Sequence, residues 1–140
     1  MRLGQLFCSG LSGEIKEMKL RIRGNSLRVR VSQTELTQIT KHGYLENTLE
    51  FSPGNHLSYR VDVVPSGPAQ AIYKNHCIQI ALPSHKVDYW NQVDQVSIGF
   101  QLPLGEDKQL VVLVEKDFQC LNPQEGDEDA DSFPNPGAKQ

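Results

Sequence analysis

The chain has 140 residues, 38% of them hydrophobic and 22% charged, and a net charge of -3 at pH 7. That balance describes one globular domain, or two half-domains sharing a core, without the chain-wide basic excess that advertises nucleic acid. No apolar run approaches the roughly 18 residues a membrane span needs, and the opening residues show neither a long apolar core nor a small-residue cleavage site, so a cytoplasmic location is expected.

Residues 1–17 have weak periodicity and several Gly and Ser, and read as a flexible leader. Met18 stands directly before the first convincing strand and is a candidate start. Leu20 and Ile22 alternate with Lys19, Arg21 and Arg23, and Leu27, Val29 and Val31 alternate with Arg28 and Arg30. Period-two patterning of this kind marks strands with one face buried and one wet. Gly24-Asn25-Ser26 between them is turn chemistry, so the segment is a hairpin over 18–24 and 26–32. A helix over 33–42 follows, with Ser32 or Thr34 as cap, Leu36 and Ile39 inward and Gly43 as its stop. Strands over 44–52 and 56–64, joined by Ser52-Pro53-Gly54-Asn55, complete a first ββαββ unit spanning 18–65.

Pro65-Ser66-Gly67-Pro68 is a short stiff linker. The second unit, within 66–118, repeats the pattern: strands over 69–74 and 76–82, a helix over 84–92 capped by Ser84, and strands over 94–102 and 108–116. A shift of 51 residues without a gap lays Leu27, Val29 and Val31 on Ile78, Ile80 and Leu82, Leu36 on Val87, and Ile39 on Trp90. The same shift lays Leu45 and Leu49 on Val96 and Phe100, Gly54 on Gly105, and Val61 and Val63 on Val112 and Val114. An internal duplication explains the agreement, and Trp90 is expected in the core. Beyond it, 119–140 is an acidic, Pro- and Gly-rich tail in which Phe133, set among prolines, is a candidate anchor.

The element Gly24-Asn25-Ser26, followed by an arginine-bearing strand and a capped helix, resembles the swapped-hairpin family of AbrB and MazE type DNA-binding proteins over about 45 residues of the first unit. That resemblance implies hairpins interleaved into one barrel, and it implies DNA contacts at and around the turn. Carried over by position, the nucleic-acid residues are Arg21, Arg23, Asn25, Ser26 and Arg28, with Arg30 added. Nearly everything after Met18 also resembles a small bacterial family of unknown function, through Met18-Lys19-Leu20-Arg21-Ile22-Arg23-Gly24-Asn25-Ser26, the run Glu115 to Leu121, and Phe133-Pro134-Asn135-Pro136. No established activity comes with it.

Catalytic signals are thin. His42, His56, His76 and His85 have no metal-ligand spacing, and Cys8, Cys77 and Cys120 form no CxxC pair. Cys120 follows Glu115-Lys116-Asp117 but has no neighbouring histidine, so a structural thiol is the better reading. Phosphate cradles, GxSxG elbows and paired-carboxylate signatures are missing from the sequence.

The expectations are therefore these. The fold is α+β and β-rich, two tandem ββαββ units closing into one pseudo-symmetric swapped-hairpin-like barrel, as a monomer or homodimer. The function is non-enzymatic binding or regulation without cofactor or metal, with DNA as ligand through the arginine-rich hairpin. The alternative is a protein-interaction adaptor working through the acidic tail or an exposed strand edge. A plain solvated face, its arginines paired with Glu46, Glu50 and other acids across strands, competes with both.

Overall fold

The computed structural model describes residues 17–92, 94–118 and 133. The expected leader, Glu17 excepted, and the tail beyond Phe118, Phe133 excepted, lie outside those residues. Eight strands and two helices follow the expected order: β1 Lys19–Arg23, β2 Ser26–Val31, α1 Gln33–His42, β3 Tyr44–Ser52 and β4 Asn55–Val64 in the first half. The second half has β5 Gln70–Lys74, β6 Cys77–Pro83, α2 Ser84–Trp90, β7 Ser97–Gly105 and β8 Lys108–Lys116.

Local chemistry sets the helix ends. The Ser32 hydroxyl accepts the Glu35 N–H while the Glu35 carboxylate accepts the Ser32 N–H, a capping box, and Gly43 at φ 90° closes α1. The second helix has no such cap: it begins after Pro83, without a side-chain cap bond, and Ser84 sits inside its first turn. The expected Ser84 cap is thus displaced by a proline that already fixes an extended backbone at the helix entry.

Each sheet takes one hairpin from each half. One has the order β1-β2-β8-β7, the other β3-β4-β6-β5, and a parallel pair, β2·β8 or β4·β6, lies at the centre of each. The expected barrel is not formed: the sheets stay open, because β1 and β5, five residues each, pair only with their hairpin mates. They meet through side chains instead. Val29, Val31, Val112 and Val114 of one sheet and Val61, Ile80 and Leu82 of the other share a single buried cluster with Leu36, Ile39, Val87 and Trp90 of the helices. Trp90 is fully buried and its indole N–H donates to the Val96 carbonyl at 3.1 Å.

The gap-free shift of 51 residues holds only through the helices. The short hairpins obey it, Arg23↔Ser26 matching Lys74↔Cys77, but the long ones do not: Tyr44↔Asp62 matches Ser97↔Glu115, each 53 positions further on. Two extra residues lie between Trp90 and Val96, where the first half passes from Ile39 to Gly43 in one tight turn. The carbonyls of Gly43 and Val96 then do the same work, accepting from Val63 and Lys116 N–H at 2.8 and 3.0 Å. Val61 therefore corresponds to Val114, and Val63 to Lys116. With that adjustment the central pairs obey one pseudo-two-fold: Leu27↔Val112 becomes Ile78↔Tyr59.

Both ends of the described chain are tied down. Met18 is buried, its N–H donating to Asn47 Oδ1 at 2.9 Å and its carbonyl accepting from the Tyr59 hydroxyl at 2.7 Å. Phe133 returns to the end of β8, donating its N–H to the Asp117 carbonyl at 2.8 Å. Its ring stands edge-on to Phe118 at 6.0 Å, with the Lys116 ammonium 5.1 Å from its centroid.

Candidate functional site

Antiparallel pairing puts directly opposed residues on one face of a sheet. In the β1–β2 hairpin the opposed pairs are Lys19↔Arg30, Arg21↔Arg28 and Arg23↔Ser26, while Leu20 and Ile22 pair with Val29 and Leu27 on the other side. The outer face thus collects Lys19, Arg21, Arg23, Arg28 and Arg30. Two of its cross-strand pairs oppose like charges, an arrangement that destabilises a sheet.

Among the described residues, two acids answer these five cations. Glu115 on β8 accepts the Arg30 Nε at 2.6 Å and lies 3.6 Å from the Arg28 Nε, and Asp117 Oδ2 takes the Lys19 ammonium at 2.9 Å. Arg21 and Arg23 have no ion pair among the described residues. Within the described residues, five cations against two carboxylates leave three positive charges, and Lys19, Arg21, Arg28 and Arg30 line one small hollow there. The expected partners Glu46 and Glu50 are not involved: both lie on β3 in the other sheet, because the long hairpin crosses over through α1. Sequence reasoning missed Glu115 and Asp117 as neighbours of the arginines, since nothing local links residue 30 to residue 115.

Asn25 and Ser26 play a different part from the arginines. The Asn25 side-chain amide donates to the Gln109 carbonyl at 2.9 Å and the Ser26 hydroxyl to the Arg23 carbonyl at 2.6 Å. Their polar groups lock the turn and anchor it to β8. Of the six candidate residues, the structure gathers the four arginines on one face and uses the other two within the hairpin.

The chain falls within a family of unknown function, DUF7009, whose model matches residues 18–137. The chain belongs to that family. No curated protein and no solved structure matches it. In this DUF7009 member the equivalent face of the other sheet is built otherwise. Arg60 donates to Asp62 at 2.9 Å and to Glu46 at 2.9 Å, stacks on the Tyr44 ring at 4.3 Å, and Asp62 also receives the Gln79 amide at 2.6 Å. Those two carboxylates push the Arg60 pKa above its already high ordinary value. Cys77, on the same face, has its thiol pKa raised by burial and then by Glu46, which makes it a poor nucleophile. Among the described residues no three His, Cys, Asp or Glu side chains cluster as a metal site, and no helix is long and apolar enough to cross a membrane.

Proposed function

We propose that the outer face of β1 and β2 binds the phosphate backbone of nucleic acid and that the protein acts as a non-enzymatic binding or regulatory module. One observation carries the reading: Lys19 faces Arg30 and Arg21 faces Arg28 across strands, with only Glu115 and Asp117 in answer among the described residues. Such a lattice costs stability in the free protein and repays it when anions bridge the cations. The resemblance of the Gly24-Asn25-Ser26 hairpin to AbrB and MazE type proteins supports the same ligand. Along β1, Lys19 to Arg23 covers about 14 Å, long enough to face more than one phosphate of a duplex strand.

The test is fluorescence anisotropy with random duplex DNA over a series of salt concentrations. Three net charges neutralising phosphates give a slope of log K against log salt of about -3, and Arg21→Ala with Arg28→Ala brings it to about -1. Binding that ignores salt, or survives the double substitution unchanged, removes the reading.

A further inference from the structure

A cavity of about 330 Å³, away from the arginine face, opens where the two short hairpins approach each other. Ile22, the Gly24-Asn25-Ser26 turn and Leu27 line one side, and Ala71, Ile72 and Tyr73 of β5 line the other. Those last three are consecutive in a strand, so their side chains point alternately to opposite faces. A cavity that touches all three reaches the strand's edge as well as its inner face. That edge is free, since β5 pairs only with β6.

The backbone register says which groups it presents. The His76 carbonyl turns toward β4 and accepts from Ser58 N–H at 2.8 Å, so Cys77 and Gln79 turn the other way, toward Lys74 and Ile72. Alternation leaves the N–H and C=O of Ala71 and Tyr73 facing outward. On β1 the same logic, fixed by the Asn25 carbonyl accepting from Val111 N–H at 3.2 Å, leaves Leu20 and Ile22 facing outward. Ile22 is 61% exposed, Ile72 45% and Tyr73 65%, so the seam joins unused backbone groups to uncovered apolar side chains. A positive charge stands beside this edge: Lys74 ends β5 on the same face as Ile72, opposite Cys77 and Gln79.

We propose that the free edge of β5 takes an extended segment of a partner protein as an added strand, with apolar side chains at alternate positions in the cavity and acidic ones on the opposite face, beside Lys74. Unpaired edges template such additions, backbone bonds supplying affinity and alternate pockets supplying selectivity. A five-residue edge spans about 17 Å, enough for five or six residues of ligand. The Asn25 amide nitrogen and the Ser26 hydroxyl already donate within the fold. The inference stands apart from nucleic-acid binding, since none of the arginines lines the cavity.

The experiment titrates the full chain against a fluorescein-labelled hexapeptide of alternating valine and glutamate. Parallel titrations use a valine–lysine version and a valine–glutamate version N-methylated at alternate residues. Saturable binding is expected, at least tenfold weaker for the lysine peptide and lost on N-methylation. Tyr73→Asp and Ala71→Pro, the latter deleting an N–H that no strand of the fold uses, each weaken it at least tenfold. Arg28→Ala leaves it unchanged while weakening binding of duplex DNA. Equal affinity for the N-methylated peptide shows adsorption to an apolar patch and overturns the proposal. So does self-association of the free chain through this edge, read as a dimer by sedimentation that Ala71→Pro dissolves.

Discussion

The two sheets share one plan and differ in charge. Glu115 on β8 and Asp62 on β4 occupy the same place, each beside a parallel strand that reaches across to it. On β2 the reaching residues are Arg28 and Arg30; on β6 their counterparts are Gln79 and Ala81. Lys19, Arg21 and Arg23 of β1 become Gln70, Ile72 and Lys74 of β5. In the second sheet Asp62 is satisfied by Arg60 and Gln79 and the face is neutralised; in the first, cations outnumber acids. The same backbone therefore stands without the arginines.

The helices test whether the two halves depend on one core. Ile39 and Trp90 fill equivalent places, both with no exposed surface. Trp90→Ala should cost about 3–5 kcal/mol and Ile39→Ala about 2–5, both read by urea denaturation as one cooperative transition. The indole bond adds little, because the Val96 carbonyl keeps the Lys116 N–H. Two separable transitions in either variant would mean the halves fold independently.

A charge graft sharpens the contrast between the faces. Ile72→Arg with Ala81→Arg copies the places of Arg21 and Arg30 onto the neutral sheet. If charge placement alone makes the site, the salt slope for duplex DNA steepens by up to about 2. An unchanged slope would show that surroundings particular to β1 and β2 matter, not the cations alone.

Much of this architecture was legible because each unit carries local signals: alternation for strands, Ser32 and Gly43 for the ends of α1, and glycine-bearing turns at Gly24 and Gly54. The two-residue insertion after Trp90 was not, and the reason is physical. A slip of one residue turns every side chain to the other face, but a slip of two leaves the alternation intact. Hence Val61 matched Val112 as comfortably as its true counterpart Val114. The acids that answer the arginines were equally hidden, since Arg30 and Glu115 meet through a parallel pairing with no turn between them. Phe133 was legible as an anchor, but Lys116 beneath it was not, for its strand pattern assigns that inward place to an apolar residue.

Lys116 departs furthest from its counterpart, Val63. It is buried, with its ammonium donating to the Gln92 carbonyl at 2.7 Å. Burial lowers its pKa and Asp94 opposes the shift only in part. The unfolded chain then holds more protons between the depressed folded value and the ordinary lysine range near 10.4, so stability from this group rises with pH across that window. Tyr59 acts oppositely: burial, then Glu17 and Glu35, raise its pKa, so stability falls as pH climbs past the ordinary tyrosine value near 10. Subtracting Lys116→Met from the parent isolates the lysine. The parent should gain on the variant with rising pH, and at pH 7 the two should differ by less than about 2 kcal/mol, because removing an expensive charge offsets the lost bond. A flat difference would place the ammonium in water.

The smallest effect concerns the long hairpins. The first turns through Pro53 and Gly54, with Gly54 at φ 79°, but the second holds Gly105, Glu106 and Asp107 at 93°, 37° and 66°. A left-handed backbone costs an L residue about 1–2 kcal/mol, and aspartate tolerates it better than glutamate. Glu106→Gly relieves that strain while giving back part of the gain as unfolded-state entropy. A net stabilisation of about 0.5–1 kcal/mol should follow, seen as a higher urea midpoint at constant m-value. A loss instead would mean that the Glu106 side chain supplies contacts worth more than its backbone strain, and that the second turn is tuned by more than conformation.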